Sequence, residues 1–238
     1  MTQSFAGKTI IIAGGSSGMG LALARKAVAL GAIVHVIGRS QERLDAARLS
    51  IGDIVTHRAD IGVEADVEAL AVNIPHVDHL VCTAADLAFK PFAGTSNEDI
   101  ERMLGGKFWG PIYLVRHLTK RLAKDGSVTF FSGAAAYKAI PGASIVAALN
   151  ASLEGLARTL ALELAPIRVN VISPGVVDSP VWDFLPGDAR ADTLGAIGAA
   201  LPRGRVGTVD ELADAGLFAI SNGFMTGSVL QIDGGNNA

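Results

Sequence analysis

The stretch Thr9-Ile10-Ile11-Ile12-Ala13-Gly14-Gly15-Ser16-Ser17-Gly18-Met19-Gly20 decides the fold. Its first five residues form a short β-branched run of the kind that makes a buried strand, and a helical pattern starts at its end. A strand, a glycine-rich turn and a helix N-terminus together make an anion site. Amides and the helix dipole point at a diphosphate, and glycines let the backbone approach it. On this reading Gly14, Ser16, Ser17, Gly18, Met19 and Gly20 cradle the diphosphate of a dinucleotide. A second apolar run at 33–37 puts the turn inside a first βαβ unit, the context that gives a glycine cluster its meaning.

Outward from this unit the rhythm repeats. Further strands are expected at 54–57, 80–83, 127–132, 168–172 and 229–232, and helices at 19–30, 41–49, 64–71, 143–164 and 210–220. The long pattern 98–124 reads as one helix or as two meeting near Gly105-Gly106. Strands separated by helices specify an α/β, Rossmann-type, doubly wound fold, with a seven-stranded parallel sheet and helices on both faces. At 238 residues, against a prior of about 150 per domain, the chain is expected to be one dinucleotide-binding domain spanning 1–238. Within it, 173–209 carries Pro174, Pro180, Pro186 and Pro202 and no clear strand, the mark of a substrate-binding loop or lid. Its apolar part at 194–201 reads as a short helix closing over the site, and Val181, Trp182, Phe184 and Leu185 suggest an apolar guest.

Composition excludes several classes. Half the residues are hydrophobic and 18% are charged, which is incompatible with a disordered chain. A net charge of −3 without any Lys/Arg cluster argues against a nucleic-acid partner. No uninterrupted apolar run reaches the roughly 18 residues of a membrane span, and no basic leader precedes an apolar stretch, so a cytoplasmic protein with no membrane partner is expected. His76-Val77-Asp78-His79 has metal-ligand residue types but lacks the remaining ligands, so no metal is expected; His57 and His117 stand alone in the sequence. The lone Cys82 sits in a strand pattern as a small hydrophobe. No Gly-x-Ser-x-Gly elbow supports hydrolysis.

The end of the second strand bears on the cofactor. A carboxylate there would bond the ribose hydroxyls and repel a 2′-phosphate, but the chain reads Ile37-Gly38-Arg39-Ser40. A guanidinium and a hydroxyl suit a phosphorylated ribose, so NADP(H) is expected in preference to NAD(H). The alternative is that Arg39 and Ser40 only cap the next helix in solvent. Asp60-Ile61 is placed along the adenine, with a helix N-cap as the other reading for Asp60.

These residues resemble the short-chain dehydrogenase/reductase family, across essentially the whole chain. The glycine turn looks like the family's TGxxxGxG motif with Ala13 in place of Thr. Arg168-Val169-Asn170-Val171-Ile172-Ser173-Pro174-Gly175 is similar to its segment at the sixth strand, and Thr226-Gly227 with Asp233-Gly234-Gly235 to its C-terminal signature. The resemblance implies a nicotinamide cofactor, a small-molecule substrate, and a homo-oligomer (tetramer or dimer) built through two long helices and the C-terminal strand. It extends the cofactor contacts to Thr83, Ala84, Ala85, Lys107, Pro174, Gly175 and Val177.

The family's chemistry implies a Ser that polarises a carbonyl, a Tyr acid/base, a Lys and an Asn. In this register Gly133 stands at the Ser position with Ser132 one residue early, Val146 at the Tyr position, Asn150 at the Lys position and Lys107 at the Asn position. A one-residue displacement at a strand end turns a side chain to the opposite face unless the strand bulges. The exchange of Lys107 and Asn150 would keep one ammonium and one amide in the pocket. Desolvated, such an ammonium loses its proton near neutral pH and serves as acid/base. The other reading of Lys107 is a solvated residue on an amphipathic helix. Tyr137, beside Lys138, is a further proton-donor candidate because a lysine neighbour favours the phenolate; its alternative is packing over the loop. The expected activity is hydride transfer between NADP(H) and a small carbonyl, alcohol or imine, with Lys107, Asn150, Ser132 and Tyr137 as catalytic candidates. The alternatives are a catalytically silent NADP(H) binder serving as sensor or structural subunit, and non-redox chemistry such as dehydration or epimerisation.

Overall fold

The computed structural model describes residues 4–238. In chain order its elements are β1 (Thr9–Ala13), α1 (Gly18–Ala29), β2 (Ile33–Gly38), α2 (Gln41–Ile51), β3 (Ile54–Arg58), α3 (Glu64–Val72), β4 (Val77–Cys82) and α4 (Asn97–Leu104). They continue as α5 (Gly110–Leu118), β5 (Leu122–Phe131), α6 (Ser144–Glu163), β6 (Arg168–Pro174), β7 (Val177–Asp178), α7 (Asp188–Ala199), β8 (Gly207–Thr208), α8 (Val209–Ser221) and β9 (Val229–Ile232). Seven strands make one parallel sheet in the order β3-β2-β1-β4-β5-β6-β9. The order reverses between β1 and β4, and it is beyond the C-terminal ends of strands at such a reversal that doubly wound sheets bind ligands.

Strand residues alternate between two cores because successive side chains point to opposite faces. On one face Ile11, Leu80, Val128, Phe130 and Val171 pack with Val67 of α3, Leu114 of α5 and Leu153 of α6. On the other, Ile10, Ile12, Val36, Val81 and Ile172 pack with Leu23 of α1, Leu44 of α2 and Leu212 of α8. This double burial explains why the strands read as continuous Ile/Val runs rather than alternating ones. Small residues bring layers together: a methyl group at Gly216 of α8 would stand 2.4 Å from Leu23 Cδ1 of α1. The Arg168 guanidinium ties the end of α8 to β6 by donating to the carbonyls of Ala219 (2.9 Å) and Ile220 (2.5 Å). Among the described residues α6 alone has the length and mean hydropathy, 1.3, to cross a membrane. Its inner face is core, with Val146, Leu149, Leu153 and Ala157 buried.

Two regions go beyond the sequence expectation, the first by taking its two-helix alternative with the break at Gly105-Gly106. The 98–124 pattern is α4, a π turn at Gly105–Trp109, α5 and a 3₁₀ turn at Thr119–Arg121, after which β5 begins at Leu122. Pro111 explains the wide turn. It has no N–H to give the carbonyl of residue 107, and its ring collides with that carbonyl in regular α winding, so the preceding turn opens and Gly110 N bonds Gly105 O instead. The start of β5 was hidden by the polar residues Lys124-Asp125-Gly126, and its pairing with β4 shifts register between Val77 and His79. The second region, 173–209, holds the short parallel pair β7–β8, a 3₁₀ turn at Pro180–Trp182, and α7, which starts well before the apolar residues that suggested a helix. His57 is not alone: its ring stacks on His35, with Nδ1 of His35 and Nε2 of His57 2.9 Å apart.

Inside the sheet His79 is buried with Nδ1 2.9 Å from Ser127 Oγ. Burial holds its imidazole down to about 4. The unfolded chain binds this proton near pH 6.5 and the folded one only near 4, so stability from this group is complete above pH 6.5 and lost on acidification through that window. We expect a loss of about 2–3 kcal/mol between those limits in urea unfolding, and a shallower pH slope for His79→Leu.

Candidate active site

The glycine turn is shaped by close approach. Gly14 has φ +83°, and a methyl group on it would stand 2.6 Å from Ala84 N. One on Gly20 would stand 2.3 Å from Gly14 O and 2.5 Å from Thr83 Oγ1. Thr83 locks the arrangement by donating both its N–H (2.9 Å) and its hydroxyl (3.1 Å) to Ala13 O. Helix α1 opens from Ser17 with no side-chain cap and no acidic residue in its first turn. Its leading amides therefore keep the positive end of the dipole for an anion. A cradle that any Cβ would fill, floored by a bare helix N-terminus, fits a dinucleotide diphosphate. The segment 173–209 begins against it: a methyl group on Gly18 would lie 3.5 Å from Pro180 Cδ.

At the end of β2, Ser40 is the N-cap of α2, its Oγ accepting from Arg43 N at 3.2 Å. Arg39 does no capping. Its guanidinium donates to Asp86 Oδ2 at 2.8 Å, and Asp86 Oδ1 stands 3.1 Å from Arg102 Nε. Asp60 is not a helix cap either: Val63 caps α3, while Asp60 Oδ1 accepts from Gly62 N at 2.9 Å. The Ile61 side chain is buried where a methyl group on Gly110 would meet its Cδ1 at 2.5 Å, so it packs on α5 rather than outward. On the far side of the cleft Pro174 ends β6, Gly175 N donates to Ile232 O (3.0 Å), and Val177 O accepts from Trp182 Nε1 (3.1 Å).

The third part of the site surrounds Lys107. The π turn aims this side chain inward, where it is 4% exposed. Its amine donates to the Ser132 carbonyl at 2.7 Å and to Asn150 Oδ1 of α6. Burial pushes the ammonium down to about 8, partly offset by the Glu154 carboxylate. Burial also raises the neighbouring Cys82 thiol to about 12, so the thiol is neutral at pH 7. Gly133 leaves the room Asn150 occupies, because a methyl group there would stand 2.9 Å from Asn150 Nδ2. One turn along α6, Glu154 accepts from Ser132 Oγ (3.0 Å) and from the Tyr137 hydroxyl. A buried ammonium, an amide and a carboxylate thus share one hydrogen-bonded cluster at the C-terminal ends of β4 and β5.

A family model described as enoyl-(acyl carrier protein) reductase matches residues 13–237. A curated relative, the short-chain dehydrogenase/reductase malC of Malbranchea aurantiaca, is 31% identical, covering 96% of this chain and 94% of its own. The chain belongs to the short-chain dehydrogenase/reductase family. Among solved structures, a small-chain dehydrogenase in complex with NADPH matches with TM-score 0.85 and 33% identity over 96% of this chain and 98% of that one. A Brucella melitensis member matches with TM-score 0.92 and 28% identity over 99% and 98%. Its relatives are oxidoreductases.

Within this short-chain dehydrogenase/reductase the structure brings Lys107 and Asn150 into contact, and Lys107 is not a solvated surface lysine. Ser132 meets Lys107 through its backbone carbonyl, whereas its hydroxyl and that of Tyr137 both go to Glu154. No bulge turns Ser132 around, since β5 keeps register with β6 up to Phe131↔Ile172, and its hydroxyl is spent on Glu154. The expected lysine effect on Tyr137 is absent: Lys138 Nζ bonds Asn236 Oδ1 at 3.0 Å, and burial together with Glu154 raises the phenol. Glu154 was missed, although a signal existed. Val146, Leu149, Asn150, Leu153, Glu154 and Ala157 recur at helical spacing on one buried face, so the polar members had to lie inside with the apolar ones. Gly20→Ala is expected to weaken NADPH binding at least about tenfold by filling the cradle, measured by calorimetry on a variant whose circular dichroism is unchanged.

Proposed function

We propose that this short-chain dehydrogenase/reductase is an NADP(H)-dependent oxidoreductase acting on a small carbonyl, alcohol or imine, with Lys107 as its acid/base. The observation carrying this reading is the buried Lys107 amine, fixed between Ser132 O and Asn150 Oδ1 with its proton affinity lowered to about 8. The positions where the family keeps Ser, Tyr and Lys hold Gly133, Val146 and Asn150, and Val146 is buried with Met103 and Leu149. None of the three can donate a proton as an acid/base. Lys107 takes that task from the opposite helix.

An ammonium has three donors. Two of those on Lys107 are held by Ser132 O and Asn150 Oδ1, which leaves one to meet a substrate oxygen or nitrogen. With the diphosphate in the cradle, the dinucleotide would supply or take the hydride through its nicotinamide. In reduction Lys107 gives its proton to the substrate heteroatom; in oxidation the neutral amine removes it. Ser132 contributes its carbonyl, and Tyr137 and Glu154 brace the cluster. Arg39 gives the adenosine end its preference for a 2′-phosphate.

The chain works on this reading as one dinucleotide-binding domain, with 173–209 as its substrate lid. There Trp182 stacks on Phe184 at 6.2 Å, and the exposure of Phe184 and Val181 suits an apolar guest. A homo-oligomer would use the outer faces of α5 and α6, where Tyr113 stacks on Trp109 at 5.8 Å and Leu162 is exposed.

Lys107→Met should abolish NADPH consumption, a loss of about 10²–10⁴ or more, while leaving NADPH binding intact. Reduction by the native chain should slow as pH rises through about 8, and oxidation should quicken over the same range. Unchanged turnover in the variant, or tight NADPH binding with no consumption across a broad carbonyl and imine panel, overturns the proposal. Separately, Arg39→Ala should weaken NADPH binding more than NADH binding.

A further inference from the structure

We propose that Asp86 is a specificity-determining residue for the cofactor: from the loop after β4 it sets a carboxylate against Arg39, narrowing the NADP(H) preference that Arg39 alone would impose and admitting NAD(H). The inference rests on the dinucleotide reading above. The sequence has no acid at the end of β2, yet the structure supplies one in space. β2 and β4 flank β1 on either side, so Arg39 and Asp86 reach toward each other across the end of β1, over the glycine turn.

Both Asp86 oxygens have arginine partners. Oδ2 accepts from Arg39 NH2 at 2.8 Å, and Oδ1 is 3.1 Å from Arg102 Nε of α4. Arg102 is itself held by Asp99 at 3.2 Å, and Asp99 by Lys90 at 2.6 Å and by the Ser96 capping box at the start of α4. From below, the loop rests on the π turn, where a methyl group at Gly106 would lie 3.5 Å from Asp86 N. Any group that Arg39 meets therefore also meets the field of a fixed carboxylate. A dianionic 2′-phosphate is attracted by the guanidinium and repelled by Asp86, whereas a ribose 2′-hydroxyl finds an acceptor. Because the three side chains are partly solvated, the balance is modest and tunable.

The test measures binding by the full-length chain of adenosine 2′,5′-bisphosphate against adenosine 5′-monophosphate, and of NADPH against NADH, by calorimetry at one low salt concentration. Asp86→Asn should raise the preference for the 2′-phosphorylated member of each pair by about tenfold, composed of tighter binding of that member and weaker binding of the other. Asp86→Ser provides the same reading if the amide fails to fold. A preference unchanged within about twofold, or one moving toward NADH, overturns the proposal. Arg39→Ala separates the levels. If it lowers the native preference while the Asp86 variants do nothing, the Asp86 role alone falls. If Arg39→Ala leaves the preference unchanged, the phosphate grip falls and Asp86 with it; if neither dinucleotide binds the native chain, the cofactor reading itself is lost.

Discussion

Burial of one ammonium constrains everything at the centre of this protein. A charged amine taken out of water is costly unless hydrogen-bond acceptors meet it. Here two do: a backbone carbonyl at the end of β5 and an amide oxygen from α6. The amide has room only because residue 133 is glycine, and the lysine arrives from the correct direction only because Pro111 opens the turn before α5. Strand end, helix face and irregular turn are thus tied to a single charge. The same burial that makes the charge expensive brings its proton into the range where it can be given and taken.

The scaffold was legible because its signals are local and repeated. β-branched runs of four or five residues, helical spacing between them, and the strand–glycine–helix junction at Ala13–Gly20 need no distant partner to be read. Misreadings arose where a long-range contact overrode the local pattern. The start of β5 is polar and becomes a strand only by pairing with β4; the 98–124 pattern left one helix or two open because a π turn costs no change of composition, and the structure takes the two-helix reading. The short β7–β8 pair is two residues on each side, below what periodicity can register.

The site was legible in part for the same reason. Lys107 and Asn150 could be matched as an exchanged pair only in the register that the family resemblance supplied, and their contact is visible only in three dimensions. Glu154 was read past because acids on long helices are ordinarily solvated, and its buried face is evident only once the apolar stripe is drawn through it. Asp86 lies forty-seven residues from the arginine it meets, and nothing near it in sequence marks the encounter. The two ends of the cleft are joined mechanically as well, since the loop bearing Asp86 rests on the π turn bearing Lys107.

Gly133 has a consequence for which substitutions the site tolerates. A serine there would drive its first side-chain carbon into the amide of Asn150, and a lysine at 150 would set a second cation beside the first. Positions 133 and 150, seventeen residues apart in sequence, are therefore one unit in space: the amide keeps its grip on the amine only while its neighbour across the gap stays bare.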